Sequence, residues 1–162
     1  HQGSIGHTQV YMYDIEDGLT YQLTYSDGDS YLPAIWGDVV VWTDSRAGGT
    51  LLDQYYSDIY MVDVSSGDVS EVCTDPAMQP ATVDIWGDRI VWVDCRHDPE
   101  YPNDCGHGTR SEIYMYEIST GAETRLTNID SLKYSPRIVE DKVYFTMQDN
   151  SDIRSVFEIT LP

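Results

Sequence analysis

The apolar positions of this chain come in short runs. Val39-Val-Val-Trp42 and Ile90-Val-Trp92 are apolar at consecutive positions. Val10-Tyr-Met-Tyr-Asp14, Ile59-Tyr-Met-Val-Asp63 and Ile113-Tyr-Met-Tyr-Glu117 mix aliphatic and aromatic residues and stop at an acid. Runs rich in Val, Ile, Tyr, Trp and Thr that end at Gly, Asp or Asn predict β-strands joined by turns. Nothing longer than about ten residues carries a helical spacing, so little or no helix is expected. A strand with one wet face alternates polar and apolar, so the continuous runs predict strands covered on both faces.

The runs repeat. Ile35-Trp-Gly-Asp-Val-Val-Val-Trp-Thr-Asp44 returns as Ile85-Trp-Gly-Asp-Arg-Ile-Val-Trp-Val-Asp94, with a weaker third copy from Arg137 to Phe145. The three Tyr-Met segments form a second repeated motif. Each is followed by a Gly (Gly18, Gly67, Gly121) and a further short run ending at Thr24, Thr74 and Thr127, and Ser155 to Ile159 is a degraded fourth copy. In Trp36-Gly37-Asp38 and Trp86-Gly87-Asp88 a Gly-Asp pair divides two apolar runs, which predicts a hairpin turn. Four short strands per repeat of about fifty residues predict an all-β β-propeller of four-stranded antiparallel blades. A β-sandwich is the alternative, and it requires no repetition.

The stretch from Ile35 to Gly49 followed by Ser57-Asp-Ile-Tyr-Met-Val-Asp63 and a strand ending at Cys73-Thr74 resembles the TolB-like propeller repeat. The resemblance covers most of the chain. In that family a hairpin is followed by two further strands, which implies a partial blade at 10–31, blades at 32–81 and 82–134, and a partial blade at 135–162. Residues 1–9 read as a flexible lead-in. The total is about three to three and a half blades, whereas propellers close with about four to eight. Three explanations stay open: a piece of a longer chain, completion by a second copy, or an unusually small ring closed by the N-terminal strand. Unfinished blades expose strand edges and favour a homo-oligomer or a fragment over a free monomer.

Charge narrows the partners. Nine Lys and Arg against 28 Asp and Glu give a formal net charge of −19, spread along the chain. Such a surface repels nucleic acid and anionic membranes, and no run reaches the length of a membrane-spanning helix. High salt, divalent cations and plain solubility all account for the acidity. Of the three cysteines, Cys95 and Cys105 bracket a polar insertion and are expected to form a disulfide, which places the protein outside the cytoplasm, whether secreted, periplasmic or on the cell surface. Cys73 falls on a predicted strand and reads as a buried thiol, with pairing across a subunit boundary as the alternative.

Candidate chemistry is sparse. Asp44/Arg46 and Asp94/Arg96 recur at one place in the repeat and are expected to be structural ion pairs, sharing a face of the strand. The insertion after Asp94 breaks the scaffold, and such loops carry function more often than the scaffold does. Its His97, Tyr101 and His107, with Tyr55 and Tyr56 of another loop, are the binding candidates, because exposed Tyr is a common anchor for proteins and sugars. The two histidines with nearby carboxylates match no metal motif. Asp27 and Asp29 could offer oxygens to Ca²⁺, although the segment falls short of a calcium loop and an ordinary turn accounts for it. No nucleophile elbow, phosphate loop, zinc helix or dinucleotide fingerprint occurs, so no catalytic residue and no cofactor are assigned. The expected function is a non-catalytic extracytoplasmic module that binds protein or glycan and assembles through its unfinished edges. The alternatives are the propeller portion of an enzyme (a peptidase cover or a polysaccharide lyase-like body) and a structural repeat of a surface layer or filament.

Overall fold

A computed structural model describes residues 6–46, 57–73, 82–101, 108–148 and 153–162. Thirteen strands and no helix occur among these residues. A two-stranded sheet holds β1 (Tyr11–Tyr13) and β2 (Thr20–Gln22). A four-stranded sheet follows, with β3 (Ser30–Trp36), β4 (Val39–Asp44), β5 (Asp58–Asp63) and β6 (Asp68–Cys73) in order. The next repeats it with β7 (Val83–Trp86), β8 (Arg89–Asp94), β9 (Glu112–Glu117) and β10 (Ala122–Arg125). The last has three strands, β11 (Leu132–Val139), β12 (Lys142–Gln148) and β13 (Arg154–Thr160). All pairings are antiparallel. This is the expected partial propeller, a half blade, two full blades and a three-stranded blade.

The repeated turn explains the register. Trp36 pairs with Val39 and Trp86 with Arg89, leaving two residues in each loop. Gly37 and Gly87 take φ of 55° and 59°. A positive φ at the first loop position suits glycine and matches the twist of the flanking strands. In the fourth blade Glu140 occupies this place at φ 56°.

The continuous apolar runs are covered on both faces. Val40, Trp42, Tyr60 and Val62 of the second blade pack on Val10 and Leu23 of the first. Val41, Ile59 and Val72 on the opposite face meet Val83, Ile85, Ile90, Trp92 and Tyr114 of the third. Val91, Val93 and Ile113 then meet Ile138, Val143 and Phe145 of the fourth. Each of the two four-stranded sheets is thus a wedge between two neighbours, and the first strands of successive blades, β3, β7 and β11, run side by side at the inner edge. Fully burying a side chain such as Ile59 or Val91 is worth about 1.5–3 kcal/mol, so these faces hold the array together.

Blade 4 turns its other face to solvent. Val156 is 74% exposed, and Lys142 Nζ bonds Glu158 Oε1 at 2.8 Å on this sheet. On the first blade Tyr11 and Tyr13 are exposed, as is Ile35 beside it on β3.

Candidate binding cleft and the clasps around it

The inner strands enclose a cleft of about 320 Å³ lined by Leu32, Pro33, Ala34 and Ile35 of β3, Thr82, Val83 and Asp84 at β7, and Arg137 of β11. In the aligned repeats Ala34, Asp84 and Arg137 hold the same position. One blade gives the cleft a methyl group, the next a carboxylate and the third a guanidinium. Asp84 Oδ2 accepts a hydrogen bond from the Ile138 amide at 3.0 Å, which anchors β7 to β11. Arg137 Nη1 reaches the carbonyl of Pro136 at 3.2 Å, and the guanidinium has no carboxylate partner among the described residues. At the hairpin end of the inner strands Trp36 and Trp86 meet with ring centroids 3.7 Å apart and planes tilted by 38°. Trp36 is 38% exposed.

Leu32 and Ser135 carry positive φ of 53° and 49° at the bulges of β3 and β11, each followed by a proline. A bulge adds a residue to one strand and re-aims its neighbours. Here the bulges shape the cleft wall at Pro33 and Arg137.

Away from the cleft, the predicted ion pairs form two copies of one clasp. Asp44 Oδ1 accepts from the Arg46 amide and Nε at 2.9 Å each, and Oδ2 accepts from Nη2 at 2.7 Å. Oδ2 also takes Ser30 Oγ at 2.8 Å and Trp42 Nε1 at 3.0 Å. The Arg46 guanidinium lies 4.0 Å over the Tyr60 ring, which stacks on Trp42. Asp94, Arg96, Trp92 and Tyr114 repeat the arrangement, with Arg96 also bonded to Glu123 Oε1 at 2.9 Å and to Cys73 Sγ at 3.3 Å. One detail differs from expectation. Each Arg lies beyond the end of its strand, not on a shared strand face, because its amide bonds back to the Asp carboxylate and turns the chain. Burial pushes the Asp44 carboxyl up, but the Arg46, Trp42 and Ser30 hydrogen bonds outweigh it and hold the group below its usual range.

The insertion leaves β8 at the end opposite the Trp36–Trp86 pair. His97 Nε2 meets Tyr114 Oη at 2.7 Å, and Tyr101 is 43% exposed. Asp98, buried, ties the insertion together. It accepts backbone hydrogen bonds from Glu100, Tyr101, Thr109 and Arg110 at 2.6–2.9 Å, and these hold its carboxyl low against the effect of burial. Tyr55, Tyr56, Cys105 and His107 lie outside the described residues. His97 and Tyr101 are not among the residues that line the cleft. Cys95 is buried, and Cys73 is a buried thiol in contact with Arg96. Asp29 Oδ1 accepts the Thr8 amide at 2.6 Å, and Gly28 packs against the backbone of Ser45 and Arg46, where a Cβ would fall 2.5 Å from the Arg46 nitrogen. The Asp27–Asp29 turn is thus accounted for by its contacts with the end of β4. No group of three or more potential metal ligands occurs among the described residues.

Two buried carboxylates went unnoticed in the sequence. Asp58 and Glu112 occupy one position in the repeat, opposite Asp44 and Asp94 respectively. Glu112 bonds Arg110, Arg125, Thr127 and Lys133. In the second blade the place of Arg125, opposite the Tyr, is taken by Glu71. Burial, with Glu71 and Asp44 close by, therefore pushes Asp58 up to about 6, against the pull of Arg46. The folded state holds the Asp58 proton more tightly than the unfolded chain. Stability thus falls as pH rises from about 4 through about 6. Asp58→Asn is expected to raise stability by about 2 kcal/mol near pH 8 and to lose that gain near pH 4. Urea unfolding of both proteins across this range measures it, and a gain independent of pH would refute the assignment.

No family model and no curated protein matches the chain. Solved structures do. The chain is 17% identical to TolB from Acinetobacter baumannii at a TM-score of 0.67, covering 94% of this chain and 35% of that one. It is 18% identical to a TolB structure from Agrobacterium tumefaciens at a TM-score of 0.69, covering 98% and 55%. Against oligogalacturonate lyase from Vibrio parahaemolyticus the values are 15% and 0.62, covering 98% and 43%. The chain thus has a TolB-like β-propeller fold and spans roughly a third to a half of the structures it resembles.

Proposed function

We propose, from the TolB-like propeller fold as premise, that this chain is a non-catalytic extracytoplasmic module that binds protein or glycan at the axial cleft and assembles through its blade edges. The observation that carries the reading is the convergence of Asp84 and Arg137, at equivalent positions of different blades, on one apolar-walled cavity. Binding sites have this make-up, apolar walls with a few placed polar groups. The exposed Tyr11 and Tyr13 on one end blade, with Ile35 of β3 beside them, and Val156 on the other end blade favour association, because apolar blade faces left in water drive burial. A second copy is the proposed partner. A Cys95–Cys105 disulfide closing the insertion belongs to the same reading. It is expected to stabilise the loop by up to about 3 kcal/mol and fits an oxidising compartment.

Light scattering over a range of concentrations tests the assembly. A mass that rises as a multiple of 18.4 kDa is expected. A single monomeric mass up to about 1 mM would refute assembly through the edges, since this bounds the affinity at about −4 kcal/mol. Peptide mapping without reductant is expected to recover Cys95 and Cys105 in one cross-linked fragment and Cys73 as a thiol. Peptide and glycan screens, with Arg137→Ala as control, test the cleft. Ligands insensitive to that change would place recognition elsewhere.

A further inference from the structure

Alternate residues of a strand share a face, and at β7 this face reads Thr82, Asp84, Trp86. Thr82 Oγ1 is buried at the cleft and has no hydrogen-bond partner among the described residues. A buried hydroxyl left unpaired costs about 1–3 kcal/mol, so a hydrogen-bonding group brought to it is stabilising. Asp84 uses one carboxylate oxygen on the Ile138 amide. Arg137 faces the same cleft from β11. Trp86, farther along the face, meets the half-exposed Trp36.

We propose that this line of side chains binds a neutral glycan, with sugar hydroxyls on Thr82, Asp84 and Arg137 and a sugar C–H face against the Trp36–Trp86 pair. The inference rests on the axial cleft being the recognition site and names its ligand class. The donor count selects a polyol. Asp84 only accepts, Arg137 only donates, and Thr82 does both. A sugar hydroxyl both donates and accepts, so one ring satisfies all three. An indole offers a flat apolar surface for C–H groups with little entropy to lose. An acidic sugar is disfavoured, because Asp84 lies in the cleft and the chain carries a net charge of −19.

Titration calorimetry of the full chain with the disaccharides of glucose, mannose and N-acetylglucosamine, with digalacturonate, and with a peptide pool tests the proposal. A neutral disaccharide is expected to bind with Kd of about 1 mM or tighter. Thr82→Val removes only the unpaired hydroxyl, so its Tm is expected to stay level or rise while sugar affinity falls about fivefold or more. Arg137→Ala, at an exposed side chain, is expected to weaken binding similarly without loss of fold. Absence of neutral-sugar binding, preference for digalacturonate, or sugar binding indifferent to both changes would each overturn the proposal. Arg137-dependent peptide binding without sugar binding would sink the glycan class and leave the cleft as a recognition site. Silence toward every probe would sink both.

Discussion

Glu112→Ala is expected to cost roughly 3–5 kcal/mol of stability. The reason is Lys133. Its side chain is fully buried, and Nζ lies 3.2 Å from Glu112 Oε2. The ammonium donates to the carbonyls of Ser111, Ile129 and Ser131 at 2.5–3.0 Å, which satisfies its hydrogens but not its charge. Glu112 is the carboxylate that balances it. Burial pushes Glu112 up, but Thr127, Arg125, Lys133 and Arg110 outweigh burial and hold it low. Without Glu112 a buried cation stands uncompensated beside two further guanidinium groups. Burial already lowers the Lys133 pKa, so the variant regains part of its stability at high pH, where the ammonium sheds its proton. Denaturant unfolding of Glu112→Ala and of the double change Glu112→Leu with Lys133→Met measures the effect. The double variant is expected to recover much of the loss, since an apolar pair of similar size avoids the desolvation cost. A loss below about 1 kcal/mol for Glu112→Ala would show that water reaches the site.

Asp94→Ala is expected to destabilise by about 3–5 kcal/mol, and by more than Asp44→Ala. Both carboxylates are buried and both accept from an Arg and a Trp indole. Two differences separate them. The Arg96 side chain is 15% exposed and that of Arg46 32%, so a stranded Arg46 finds water more easily. Asp44 also stands opposite Asp58, whose burial it makes costlier, and its removal relieves that repulsion. Opposite Asp94 is Glu112, already balanced by three cations. The clasp at Asp44 also sets a pH dependence. Its carboxyl is held below the ordinary value in the fold, so its contribution is present at neutral pH and lost as pH falls below about 4. Parallel urea titrations of the two variants give the ranking. A larger loss for Asp44→Ala would mean that the hydrogen bond from Ser30 outweighs charge burial.

Much of the clasp was legible. Trp42-Thr-Asp44-Ser-Arg46 and Trp92-Val-Asp94-Cys-Arg96 carry the indole donor, the acceptor and the cation at one spacing, and repetition marks them as scaffold. The Tyr that completes each clasp comes from the other repeated motif, and only strand pairing brings Trp42 opposite Tyr60. The cleft was harder to see. Ala34, Asp84 and Arg137 fall in one column of the repeat, and the change of charge along that column was the available signal. Nothing local to Thr82 predicts an unpaired hydroxyl, since pairing depends on what the neighbouring blade presents. His97 and Tyr101 were singled out for lying in an insertion, and they sit at the far end of β8 from the Trp pair.

The sequence by itself determined the architecture. Runs apolar on both faces must be covered on both sides, no segment carries the helical spacing to cover them, and a motif repeated near every fifty residues makes the covering sheets alike, which favours wedges around an axis over a sandwich. Tertiary structure decided the electrostatics. Whether a buried carboxylate is held low, as Glu112 is, or pushed up, as Asp58 is, depends on side chains brought in by neighbouring strands and the next blade. Likewise, one column of the repeat becomes a cleft holding a carboxylate beside a guanidinium only when β3, β7 and β11 come together. Charges act through space at short range, and spatial neighbours at the axis are about fifty residues apart in the chain.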